Sequence, residues 1–372
     1  MRIFLLLLFS YGSLAQIEIR LSINDSTAAP SEIFLAGDFN GWQAGDENYR
    51  FNNGRLLIDS LPDRIEFKVV GRSWAQAEGT KDGSPIANRK RIIRKQSVLK
   101  LEIKGWEKPP EVVSLAENII AHEDEEELLY KGQAKTVWVY LPSSYANNAA
   151  KDFPVLFLMD GQNLFLGADG SAVKWQVGKT LDSLNLDFIV VGIEHGGVDR
   201  INELSPYSNP KYGGGEADSL LDFIQSQLKP FLHKRYRTSA KREQNFVGGS
   251  SLGGLFSLYA LLKAEGEFGG GLIFSPSYWF NPELESYASR NSQKKRTFVY
   301  QLMGGREGND PLANIALVQN MEVILAGPPK AWLCKTKIVL KGTHSESFWQ
   351  EEFPEAVLWL NEQMKNNEGS DN

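Results

Sequence analysis

The chain has 372 residues, 42% hydrophobic and 23% charged, and this composition excludes the disordered and fibrous classes. Its net charge of −6 argues against a nucleic-acid binder that works by neutralising phosphates. A single cysteine, Cys334, excludes an internal disulfide and any multi-cysteine metal site, and the length suggests about two domains.

In chain order, Arg2 is followed by a short apolar run over residues 3–9, and Ser13 and Ala15 place small side chains before Gln16. This is the layout of a secretory signal peptide over residues 1–15. The run is shorter than the roughly 20 residues a spanning helix needs. The expected product is therefore secreted or periplasmic, with no membrane insertion once the signal is cleaved.

Residues 16–105 read as short strands broken by turns. Residues 17–21, 55–58 and 65–69 alternate apolar and polar, residues 97–103 close the set, and Asn52-Asn53-Gly54 and residues 81–85 are turn chemistry. A segment of about 90 residues of this kind is the size of an immunoglobulin-like β-sandwich. Residues 106–111, with Pro109 and Pro110, read as a linker.

From residue 112 to residue 372 strands and helices alternate. Residues 154–159 and 188–193 are continuous apolar runs, as expected for strands buried on both faces, and further runs begin at Phe246, Leu272, Phe298 and Ile338. Helical periodicity covers residues 219–236, with a kink expected at Pro230, and recurs from Leu252, Leu312 and Phe348. The pattern predicts a mostly parallel sheet with helices on both faces, preceded by the small all-β sandwich. The acidic run over residues 123–127 reads as a solvated hairpin or loop.

Gly249, Ser251 and Gly253 form a G-x-S-x-G motif between an apolar strand and a helix, the context of a nucleophile elbow. A serine nucleophile needs a base and an orienting acid, which follow it in this fold in the order acid, histidine. Only His344 lies beyond Ser251, in a loop after a late strand. The acid is expected after the strand 297–303, where Glu307 and Asp310 both qualify. Glu307 is preferred for its closeness to the strand end, whereas Asp310, followed by Pro311, suits a helix N-cap. The expected oxyanion donors are the backbone N–H groups of Leu252 and of Gln162, the latter in a loop opened by Gly161. No cofactor or metal is implied, since H-E-x-x-H, P-loop and Rossmann fingerprints are all missing from the sequence.

Val139-Tyr140-Leu141-Pro142, the loop over residues 158–162, Arg200 with Glu203-Leu204, the Ser251 elbow and the His344 loop together resemble the esterase D and enterochelin-esterase-like α/β hydrolases. The resemblance covers about residues 112–365. It implies a serine esterase working through an acyl-enzyme, with an ion pair at Arg200 and Glu203 shaping the cleft. The expected substrates are acetyl or feruloyl esters of polysaccharide, with a siderophore ester as the alternative and a non-catalytic glycan-binding protein as a third reading. Residues 33–42 and 67–74 resemble the glycogen-binding (family-48) carbohydrate modules. That likeness implies a site for an α-glucan or other polysaccharide at Trp42, Lys68 and Trp74, with a purely structural sandwich as the alternative.

Overall fold

The computed structural model describes residues 16–23, 29–81, 83, 86–94, 98–107, 118–165, 175–291, 295–328, 330 and 332–368. The predicted export signal and the linker beyond residue 107 lie outside the described residues. The chain divides into two units, Met1–Lys108 and Pro109–Asn372.

The first unit contains strands β1 (Ile17–Ile23), β2 (Phe34–Gly37), β3 (Arg55–Ile58), β4 (Arg64–Val70), β5 (Glu78–Gly79), β6 (Arg89–Ile92), β7 (Val98–Ile103) and β8 (Gly105–Trp106). They form sheets ordered β3-β1-β7 and β2-β4-β6, with β5 paired to β8. Period-two alternation works as expected in β1: Ile17 and Ile19 are buried while Arg20 faces water. Side chains from both three-stranded sheets, among them Ile19, Leu35, Leu56, Phe67 and Leu101, meet in one apolar cluster. Strand β6 has almost no apolar signal. Arg89 anchors it with a forked ion pair to the fully buried Glu78, at 2.9 and 2.6 Å. Trp106, at the start of the predicted linker, is instead a buried strand residue of this unit.

The second unit is built on an eight-stranded sheet ordered β18-β17-β16-β15-β13-β14-β12-β9. Its strands are β9 (Ile119–His122), β12 (Val137–Tyr140), β13 (Val155–Met159), β14 (Ile189–Ile193), β15 (Asn245–Ser250), β16 (Gly270–Phe274), β17 (Thr297–Gly304) and β18 (Trp332–Val339), with a small hairpin of β10 (Leu129–Tyr130) and β11 (Gln133–Ala134) beside it. Strands β13 to β18 run parallel, and β12 is antiparallel to both of its neighbours. The helices are α1 (Val177–Leu184), α2 (Arg200–Leu204), α3 (Ala217–Phe223), α4 (Lys229–Arg235), α5 (Leu252–Lys263), α6 (Glu283–Arg290), α7 (Pro311–Ala326) and α8 (Glu346–Glu368). Alternate side chains of the sheet strands enter two different apolar clusters: Phe157 and Val247 join α3, α4 and α5, while Leu156 and Phe246 join α1 and α8. That split is the signature of a sheet covered on both faces.

The kink expected at Pro230 takes the form of a π-helical turn, Ile224–Leu228, between α3 and α4. Proline offers no N–H to the preceding turn, and the wider winding absorbs the missing bond. The acidic run is a turn after β9, where Glu127 pairs with Lys234 at 2.8 Å and with Arg235. Among the described residues no helix is long and apolar enough to cross a membrane.

Helix α8 covers one face with Trp349, Phe353, Val357 and Leu360, spaced at three and four residues, and with Phe348 next to Trp349. Phe353 is completely buried and lies 6.1 Å from Trp175 and 6.4 Å from Phe274 between ring centroids. Phe353→Ala should therefore lower unfolding free energy by about 3–5 kcal/mol, read from the denaturant midpoint. A loss below about 1 kcal/mol would contradict this packing.

Candidate active site

Ser251 stands between β15 and α5 with φ 58° and ψ −121°, a backbone region that side chains rarely adopt and that costs about 1–3 kcal/mol. The neighbourhood over-determines it. Its N–H donates to the carbonyl of Phe274 at 3.0 Å, and its carbonyl accepts from Leu255 at 3.1 Å and from Ser277 at 3.1 Å. The flanking glycines are required by close approach: a Cβ on Gly249 would lie 3.0 Å from the Gly253 carbonyl carbon, and one on Gly253 would lie 3.0 Å from the Met159 side chain. The hydroxyl oxygen of Ser251 lies 3.2 Å from that of Ser277.

His344 follows β18, and its Nδ1 lies 2.8 Å from Glu307 Oε2. A carboxylate only accepts, so Nδ1 is the donor in this contact, and in a neutral imidazole the lone pair then lies on Nε2. Glu307 is 3% exposed, and its other oxygen accepts from the Gly304 amide at 2.7 Å and from the Ser275 hydroxyl at 2.6 Å. Asp310, the alternative acid, caps α7 by accepting from Ala313 N at 3.0 Å. The acid loop meets the histidine loop through glycine: a Cβ on Gly304 would sit 2.6 Å from the Gly342 carbonyl, and Arg306 N donates to Gly342 O at 3.0 Å. Among the described residues no hydrogen bond joins Ser251 to His344; the serine hydroxyl turns to Ser277 instead.

Leu252 supplies the first amide of α5, one of four that have no acceptor within a helix. Gln162 lies in the turn after β13, and its side-chain amide exchanges two hydrogen bonds with the His195 backbone, at 3.0 and 3.2 Å. Just before it, Asp160 takes the left-handed conformation and makes a forked ion pair with Arg200, at 2.6 and 2.7 Å. Burial of Asp160 acts to raise its pKa, but the Arg200 charge and hydrogen bonds outweigh it and hold the carboxyl below its ordinary value. Glu203 does not pair with Arg200. It binds Lys135 at 2.8 Å, both side chains buried, and takes the Gly196 amide at 2.9 Å. Burial pushes the pKa of His195 down, partly offset by Asp160, and its Nδ1 accepts from Gly197 N at 3.0 Å.

In the first unit the Trp42 and Trp74 rings lie 6.1 Å apart, and Trp74 is 41% exposed. Lys68 is buried and bound to Glu107 at 2.7 Å, which occupies the ammonium. Ser275, Ser277 and Trp349 were not anticipated as site residues. The only cue was Ser275-Pro276-Ser277, a polar turn ending an apolar strand, and Trp349 reads in sequence as one more core aromatic.

An elbow serine, a late histidine and a buried carboxylate on a mostly parallel sheet define an α/β hydrolase. The family described as "Putative esterase" matches residues 130–360, and the chain belongs to it; the protein is a carboxylic ester hydrolase. A Bacillus subtilis protein, YbbA, described as uncharacterized, is 23% identical over 244 residues, 62% of this chain and 94% of that one. The siderophore triacetylfusarinine C esterase of Aspergillus fumigatus is 31% identical over 134 residues, 34% of this chain and 45% of the esterase. The structure of the enterobactin esterase FES from Shigella flexneri aligns with TM-score 0.53 and 16% identity. It covers 90% of this chain and 89% of its own, more than the second unit alone accounts for, and shows a shared fold.

Because Asp160 is held charged by the adjoining Arg200, its stabilisation is full above the ordinary aspartate pKa and is lost as pH falls through the lowered folded value. Asp160→Asn should cost about 3–5 kcal/mol near neutral pH by leaving Arg200 uncompensated. The deficit relative to the parent should narrow in acid, followed by denaturant melts across pH. A deficit that stayed constant down to the acid limit would count against the pair.

Proposed function

We propose that the protein is an exported serine esterase working through an acyl-enzyme, with a siderophore-type ester as its substrate. The observation that carries the mechanism is the 2.8 Å contact from His344 Nδ1 to a buried Glu307, which leaves Nε2 as the base for the strand-to-helix serine. His344 takes the Ser251 proton as Oγ adds to the ester carbonyl. The amides of Leu252 and Gln162 stabilise the oxyanion, the C–O bond to the alcohol breaks, and His344 returns the proton to that alcohol. Water then attacks the acyl-enzyme by the same route, releasing the acid and restoring the serine. Glu307 keeps the imidazole in the tautomer this requires.

The siderophore reading draws on the named activities of the Aspergillus and Shigella relatives and on an alignment with the latter that spans both units. Export draws on the residue pattern over 1–15. A second reading, acetyl or feruloyl esters of polysaccharide, is favoured by the exposed Trp74 and the half-buried Trp42 beside it, aromatic rings of the sort that stack on sugars. The ion pair of Lys68 with Glu107 counts against it.

Purified protein should hydrolyse a short-chain p-nitrophenyl ester, and Ser251→Ala should retain less than about 1% of that rate. A larger residue of activity would remove Ser251 from the mechanism. On natural substrates, release of hydroxy-acid monomers from a siderophore lactone should outpace release of ferulate or acetate from xylan fragments. The opposite order would favour the polysaccharide reading.

A further inference from the structure

The Glu307 carboxylate that faces His344 is itself held by donors. Its Oε1 receives two donors, the Gly304 amide at 2.7 Å and the Ser275 hydroxyl at 2.6 Å, so that Oε2 alone faces His344. Ser275 in turn accepts the Trp349 indole N–H at 2.8 Å. The same indole meets the His344 ring edge to face, 5.0 Å between centroids. Indole, hydroxyl, carboxylate and imidazole thus close a ring in which each member is fixed by two others.

The burial of this ring is as telling as its distances. Ser275 is 1% exposed, Glu307 3% and Trp349 5%. Ser275 also holds φ at +43°, a strained value for a residue with a side chain, and its N–H is tied to the Leu302 carbonyl at 2.7 Å. The hydroxyl has one rotor. With the indole N–H filling a lone pair, its proton is directed at Glu307, where a charge-assisted bond is the strongest on offer. Small disorder in an orienting group is costly, since a misplacement of about 1 Å can cost about 10²-fold in rate.

We propose that Ser275 and Trp349 are positioning residues for the acid: Trp349 aims the Ser275 hydroxyl, and that hydroxyl locks the Glu307 carboxylate so that one oxygen alone addresses His344. The proposal rests on the esterase mechanism given above. Neither residue hydrogen-bonds to Ser251 or His344, so the loss should fall on kcat and leave KM alone. It should also vanish when the acid no longer needs aiming.

The test is a double-mutant cycle on the full chain, with p-nitrophenyl ester hydrolysis and thermal melts measured for each protein. Ser275→Ala should lower kcat by about 10- to 100-fold with KM within about twofold. In a Glu307→Gln background the same change should cost less than about threefold, because the two act through one bond. Trp349→Phe, which keeps the ring against His344 and removes only the N–H, should lower kcat by a smaller factor with the same dependence on Glu307. If Ser275→Ala fails to fold, the Trp349→Phe cycle decides in its place. Equal losses in both backgrounds, an unchanged kcat, or a change confined to KM would overturn the proposal. If Ser251→Ala or Glu307→Gln kept the parent rate, the esterase mechanism would fail and take this proposal with it.

Discussion

A carboxylate removed from water is tolerated only when donors replace its hydration, and Glu307 sets that demand in the loop after β17. Its three donors come from different parts of the chain: Ser275 at the end of β16, Gly304 at the end of β17, and His344 beyond β18. Satisfying one buried charge therefore requires the C-terminal ends of three adjacent parallel strands to converge at one level. The sheet supplies this convergence without special adjustment, since parallel strands in register bring their ends to the same edge.

Glycine makes the convergence physically possible. The Gly304–Gly342 contact lets two loop backbones touch, and the Gly249–Gly253 contact lets a strand and the helix after it do the same. A methyl group at any of these four positions would meet backbone or core atoms at or below 3.0 Å in at least one case on each side of the site. The strained φ values of Ser251 and Ser275 sit inside this frame, where hydrogen bonds to Phe274 O and Leu302 O hold them. Strain of this kind persists only where surroundings fix it, and here the two instances follow the ends of adjacent paired strands, β15 and β16.

Much of this was legible in the sequence, for definite reasons. Apolar runs announced the parallel strands because both faces are buried, and the elbow was readable because its glycine spacing encodes a packing requirement. Other features carried no local signal. Strand β6 is polar and is fixed by Arg89 reaching Glu78 in another strand. Arg200 and Glu203 lie on one short helix yet serve different partners, Asp160 and Lys135, which are distant in sequence. Trp349 looked like core because it is core; only the direction of its N–H, a tertiary fact, distinguishes it from Phe353 on the same helix face.

Glutamate at position 307 follows from the same geometry. The carboxylate belongs to the third residue after Gly304 yet returns to bond the amide of that residue, while still reaching His344. A side chain one methylene shorter would have to give up one of these contacts or draw the loop inward against Gly342. The Gly304 backbone already leaves no room for a Cβ there. Asp310, three residues further on, is spent on the N-terminus of α7, where its short reach matches the Ala313 amide. Loop length and side-chain length are thus matched to each other, and in that match the longer acid carries the bond to the histidine.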